Sequence, residues 1–79
     1  MKHARADYQR IQDPEGKIGE NEPVFLLRAT DRVSPVAVEA WAREAARIGA
    51  ASEIVDAAMS QARAMVAWQH AYGNKVPDL

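Results

Sequence analysis

SEIVDAAMSQARAMVAWQHAYG, Ser52 to Gly73, reads as one long helix with more apolar surface than a single neighbour can cover. Its polar side chains fall mainly on a narrow line, Glu53, Asp56, Ser60, Arg63 and His70, at the spacing of a 3.6-residue helix. Val55, Ala58, Met59, Ala62, Met65, Val66 and Tyr72 make one apolar stripe, and Ile54, Ala57, Ala64, Ala67, Trp68 and Ala71 make a second beside it. A helix clothed this widely calls for partners on two sides. One partner can come from this chain, and the other is expected from a second copy.

Working upstream, Ser34-Pro35 marks an earlier helix start, with serine as N-cap and proline where its missing N–H costs nothing. This helix is expected to run from Pro35 through Ile48 and stop at Gly49, with a core stripe of Val38, Trp41, Ala42, Ala45 and Ile48. Glu39, Arg43, Glu44 and Arg47 line its solvent face, and Glu39 with Arg43 forms an i,i+4 pair. Gly49-Ala50-Ala51 is so short a connection that the two helices must be antiparallel neighbours, with Ser52 as the second N-cap and Glu53 and Asp56 in the first turn. Alanines at 42, 45, 58 and 62 would let the backbones approach closely. Gly73 and Asn74 end the long helix over Glu53–Tyr72, and a short tail follows.

Val24-Phe25-Leu26-Leu27 is a continuous apolar run after Pro23, and periodicity leaves a strand and a buried helical turn equally open. In either form Phe25, with Leu26 or Leu27, is expected to plug the helical core. Residues 1–23 read as an extended or mobile arm, and 24–79 as the helical domain. Asp13-Pro14-Glu15-Gly16 has turn chemistry, and Ala4, Tyr8 and Ile11 are spaced for a short helical turn from about His3 to Ile11. Lys2, His3, Arg5, Arg10 and Lys17 make the arm basic before Asp13, Glu15, Glu20 and Glu22 make it acidic. The fold class expected is therefore mostly α: an antiparallel helical hairpin with a short extended or helical N-terminal segment, assembling as a homo-oligomer.

Composition narrows the function classes. A chain of 79 residues buries a smaller share of its surface than a larger one, and small domains add disulfides, a structural metal or oligomerisation. With no cysteine and only His3 and His70 as imidazoles, disulfides and a self-sufficient zinc site drop out. A net charge of -1 argues against a coat for nucleic acid, so no specific DNA or RNA binding is expected. No stretch is apolar over the length of a membrane span, and the first ten residues lack the apolar segment of a secretory signal. These features set a cytoplasmic expectation.

Catalytic patterns are equally thin. Ser34 and Ser52 are taken up by capping, Ser60 sits mid-helix without a base, and His70 belongs to the polar line. His3 and Asp7 are one turn apart but do not make a metal site, and Gly16-Lys17-Ile18-Gly19 falls short of a phosphate loop. No enzyme and no cofactor is expected. Arg28 and Arg32 just before the Ser34-Pro35 helix start are a more suggestive group, because arginine forks and helix N–H groups both favour phosphate oxygens. Local pairing with Asp31 or Glu39 would explain the same arginines. Trp41, Trp68, Tyr8 and Tyr72 could stack on a base, although helical spacing makes the tryptophans core or interface residues first. The candidate ligand-binding set is Arg28, Arg32, Trp68 and Tyr72.

Glu22-Pro23-Val24-Phe25-Leu26-Leu27-Arg28, the tryptophan-bearing helix with Met65-Val66-Ala67-Trp68-Gln69, and Lys75-Val76-Pro77-Asp78-Leu79 together resemble a group of small uncharacterised bacteriophage and prophage proteins. In that group an EPVFLLR-type run precedes two helices and a WQ…KVPD-type ending. The resemblance spans most of the chain beyond the arm and brings no catalytic residue with it. It implies a host-directed factor: a sponge that sequesters a cyclic or modified nucleotide between subunits, a module that blocks a host defence protein, or a minor structural or assembly component of the phage particle.

Overall fold

The computed structural model describes the backbone of Lys2–His3 and residues 13–78. Two short strands, β1 (Lys2–His3) and β2 (Pro23–Val24), pair in parallel, with Lys2 opposite Pro23 and His3 opposite Val24. Two helices follow, α1 (Ser34–Arg47) and α2 (Ser52–Tyr72), packed against each other. The expected helical turn through Ala4, Tyr8 and Ile11 lies outside the described residues.

Between the strands, residues 13–22 form two tight turns rather than an extended arm. The Asp13 carboxylate accepts the backbone N–H groups of Lys17 and Ile18, both at 3.0 Å, while Gly16 turns the chain at a φ of 62°. Gly19 N–H donates to Glu22 Oε1 at 3.1 Å and closes the second turn. Asp13-Pro14-Glu15-Gly16 thus does what its turn chemistry suggests. The apolar run beyond it is extended rather than helical: β2 covers Pro23–Val24, and residues 25–28 continue without regular structure. Phe25 stays exposed and Leu27 is half-buried, so the expected Phe25 plug does not form.

Both helix starts are shifted by one residue from the expected caps. Val33 occupies the N-cap of α1 in a right-handed helical conformation, and Ser34 is already helical and completely buried, with no partner for its hydroxyl. Ser34 N–H donates to the Asp31 carbonyl at 3.0 Å, so a preceding turn leads the chain into the helix in place of a side-chain cap. Ala51 occupies the N-cap of α2, and the Ser52 hydroxyl donates to Glu53 Oε1 at 3.1 Å instead of capping. The junction between the helices is a Schellman turn. Gly49 adopts a φ of 91°, its N–H donates to Ala46 O at 3.1 Å, and Ala50 N–H donates to Ala45 O at 2.9 Å.

The core between the helices is small. Ala42, Ala62 and Met65 are its buried apolar side chains among the described residues, and Val38, Ala45, Val55, Ala58 and Met59 are half-buried around them. Trp41 and Ile48, expected in the α1 core stripe, are 56% and 69% exposed. Tyr72 also leaves its expected stripe, at 75% exposed. For Trp41 and Ile48 the reason is geometric: with alanines at the contact the helices meet along a narrow seam, and side chains about 100° round α1 from Ala42 cannot reach it, while Tyr72, nearly in line with Met65, is the final residue of α2. The Glu39–Arg43 pair forms as its spacing predicts, at 3.8 Å.

Replacing Gly49 by alanine adds no steric clash, since nothing lies within 4 Å of the added Cβ, and forces a left-handed φ on an L-residue. Gly49→Ala should lower stability by about 1–2 kcal/mol. Urea unfolding checks this as a reduced midpoint with an unchanged slope.

Candidate functional site

The hairpin is closed at its open end by a clasp between the segment before α1 and the segment after α2. Lys75 N–H donates to Thr30 O at 2.9 Å, Arg32 N–H donates to Lys75 O at 2.8 Å, and Asp31 and Lys75 pair as a parallel bridge. Gln69 ties the same place from the helix. Its Nε2 donates to Ala29 O at 2.9 Å and to Asp31 O at 3.2 Å. Gly73 frees the chain from α2 at φ 92° and ψ 175°, a backbone region essentially reserved for glycine, and delivers Asn74 and Lys75 to the clasp.

This clasp organises the candidate ligand residues. Arg32 Nε donates to Asn74 Oδ1 at 2.9 Å, which holds its guanidinium at the C-terminal end of α2. Trp68 and Tyr72, one turn apart on that end of α2, stack with ring centroids 5.1 Å apart and planes tilted by 39°. Both rings are exposed, at 40% and 75%. Arg28 is exposed in the same pre-helix segment, and its carbonyl accepts the Asp31 N–H at 3.1 Å. The fold therefore gathers at one end of the hairpin an arginine fixed through one nitrogen and an aromatic pair.

Beside the α1 entrance lies a cavity of about 270 Å³, lined by Phe25, Leu26, Leu27 and Val33 with Asp31, Ser34, Pro77 and Asp78. The buried, unpartnered Ser34 hydroxyl and the buried Asp31 sit among these residues. A smaller polar hollow is lined by Gln69, His70 and Asn74. Among the described residues no group of three histidines or carboxylates could hold a metal. Among the described residues no helix is long and apolar enough to cross a membrane.

No protein-family model, curated protein or solved structure matches the chain. The side chains themselves must carry any functional reading.

Electrostatics add little local chemistry. Arg47 beside Glu44 holds that carboxyl below its ordinary range, through a bidentate pair with Nε donating at 2.9 Å to Oε2. The pair is fully exposed on α1 and serves the solvent face. Lys17–Glu15 at 2.9 Å and Lys75–Asp78 at 2.7 Å are likewise surface pairs.

In the sequence Gln69 stands out only within the WQ-type ending and Asn74 only as a helix stop, with nothing to mark either as part of the clasp. Gln69 had a readable signal, since it lies four residues after Met65 and seven after Ala62, on the buried line of α2. A polar group there needs partners. Gln69→Ala removes the donor to two backbone carbonyls and should cost about 1–3 kcal/mol. Hydrogen exchange should show the Arg32 and Lys75 amides losing protection while amides in the middle of α1 and α2 keep theirs.

Proposed function

We propose that the chain is a non-enzymatic, phage-encoded, host-directed factor that binds and sequesters a phosphate-bearing nucleotide at the clasped end of the hairpin. The observation that carries this reading is that the exposed Trp68–Tyr72 pair and the Arg32 guanidinium that Asn74 fixes lie at the same end of the hairpin. An aromatic ring offers a platform to any base, and an arginine held through Nε keeps its terminal nitrogens for phosphate oxygens. Arg28, four residues upstream, is the second phosphate contact in this reading. A fork already held in place loses less rotamer freedom on binding than a free side chain does.

Two readings compete. A module that blocks a host protein needs the surplus apolar face to be open in the purified protein, and a minor component of the phage particle needs to co-purify with virions.

Isothermal titration of the purified chain with a panel of cyclic dinucleotides and linear nucleoside phosphates tests the ligand reading. Binding of at least one member is expected, with Arg28→Ala plus Arg32→Ala weakening it at least about tenfold. Trp68→Ala should cost about 1–3 kcal/mol of that affinity. A panel without a binder, or a binder indifferent to both changes, would remove this reading.

A further inference from the structure

The cavity beside the α1 entrance takes no part in the nucleotide reading, and its charge has the opposite sign. Among the described residues its polar lining is Asp31, Asp78 and Ser34, with no lysine, arginine or histidine. Asp78 is engaged with Lys75 at 2.7 Å. Asp31 is only 8% exposed, yet its carboxylate makes no hydrogen bond or ion pair with a described residue. The Ser34 hydroxyl, completely buried, has no partner either. Buried polar groups are ordinarily hydrogen-bonded and buried charges ordinarily paired. Two exceptions bordering one cavity leave room for a donor that the chain itself does not supply. The backbone holds this place ready: Asp31 N–H donates to Arg28 O at 3.1 Å, and Asp31 O accepts from Ser34 N–H at 3.0 Å and from Gln69 Nε2 at 3.2 Å. Little ordering is left for a ligand to impose.

Ligand classes separate on this lining. A phosphate or carboxylate would meet two carboxylates and no cation. A bare divalent cation takes roughly six or more oxygen ligands, and the described residues hold no group of three histidines or carboxylates. An uncharged apolar molecule would bury Asp31 further and still leave it unpaired. A primary ammonium fits, because it carries three N–H donors and no acceptor, and its bonds to a carboxylate are charge-assisted. The remaining walls are Phe25, Leu26, Leu27, Val33 and Pro77, so the group that brings the charge needs an apolar body. Phe25, Leu26 and Val33 all keep surface open for such a body to cover. The volume of about 270 Å³ falls just short of the roughly 300–1,000 Å³ of pockets for drug-sized ligands. It suits a single ring on a short stem.

We infer that this cavity is a binding site for a small organic amine, a primary ammonium on a compact apolar body. Asp31 takes the charge, the Ser34 hydroxyl accepts a further N–H, and Phe25, Leu27 and Val33 cover the body. The ligand differs from the nucleotide in charge, and its side chains are not Arg32, Trp68 or Tyr72. Neither reading rests on the other.

Isothermal titration of the full chain with phenethylamine at neutral pH, where it is an ammonium ion, tests the site. Binding is expected, with phenethyl alcohol and phenylpropionate, close in shape but neutral and anionic, each at least about tenfold weaker. Nα-acetyl-lysine amide carries the same ammonium on a bare stem and should also bind more weakly. Asp31→Asn should weaken phenethylamine at least about tenfold. Ser34→Ala should weaken it too while leaving the urea midpoint unlowered, since its hydroxyl has no partner to lose. In NMR spectra the amides of Leu27, Val33 and Ser34 should shift on binding and those of Trp68 and Tyr72 should not. The proposal is overturned if phenethylamine does not bind, if the alcohol or the lysine amide binds equally well, or if either substitution leaves affinity unchanged. Shifts centred on Trp68 would overturn it as well, by placing the cation on the aromatic pair. If Asp31→Asn fails to fold, the neutral and anionic probes on the unaltered chain decide. None of these readouts measures nucleotide affinity, so the two proposals fail separately.

Discussion

Everything in this molecule follows from the smallness of the side chains where its helices meet. Ala42 and Ala62, both completely buried, let α1 and α2 lie close, but each brings little apolar area out of water. The seam is narrow and the large residues are left outside it. Trp41, Ile48, Ile54 and Trp68 are all substantially exposed for that reason. A hairpin built this way is well defined in geometry and short of burial.

The secondary structure was legible because its signals are local. Gly49 stops α1 where the sequence says it should, and the three-residue connection fixes the antiparallel pair. Cap assignments failed by one residue, since Ser34 and Ser52 have the right chemistry but neither hydroxyl caps: that of Ser34 is buried without a partner, and that of Ser52 turns to Glu53. The apolar stripes were legible only in part. Periodicity correctly identifies more apolar surface than one partner needs, but it cannot say which stripe the seam selects. Trp41 and Ile48 looked like core by spacing and lie outside it because bulky residues are excluded from an alanine seam. Phe25 failed for another reason: β2 ends at Val24, and beyond it Phe25 lies exposed on the wall of the cavity beside the α1 entrance.

The candidate site was read piecemeal. Arg32, Trp68 and Tyr72 were each visible as residues able to bind an anion or a ring, yet nothing in the sequence connects position 32 with position 74. Asn74 makes that connection, and Gln69 makes the neighbouring one to Ala29 and Asp31. Such long-range amide contacts have no spacing rule, so they become visible only once the chain returns to the start of α1. Arg28 and Arg32 also owe their setting to this return, which presents the pre-helix segment against the end of α2 and not merely near a helix N-terminus.

The clasp has a kinetic meaning as well. Contacts around the Gly49 turn join residues close in sequence, so the hairpin can nucleate there with little loop to close. The bonds from Gln69 to Ala29 and from Arg32 to Asn74 span 40 and 42 residues, and their closure entropy is recovered only after both helices are in place. On closure entropy alone, the Gly49 turn is the favoured place for folding to begin, and the end that gathers Arg32, Trp68 and Tyr72 is the costliest to close.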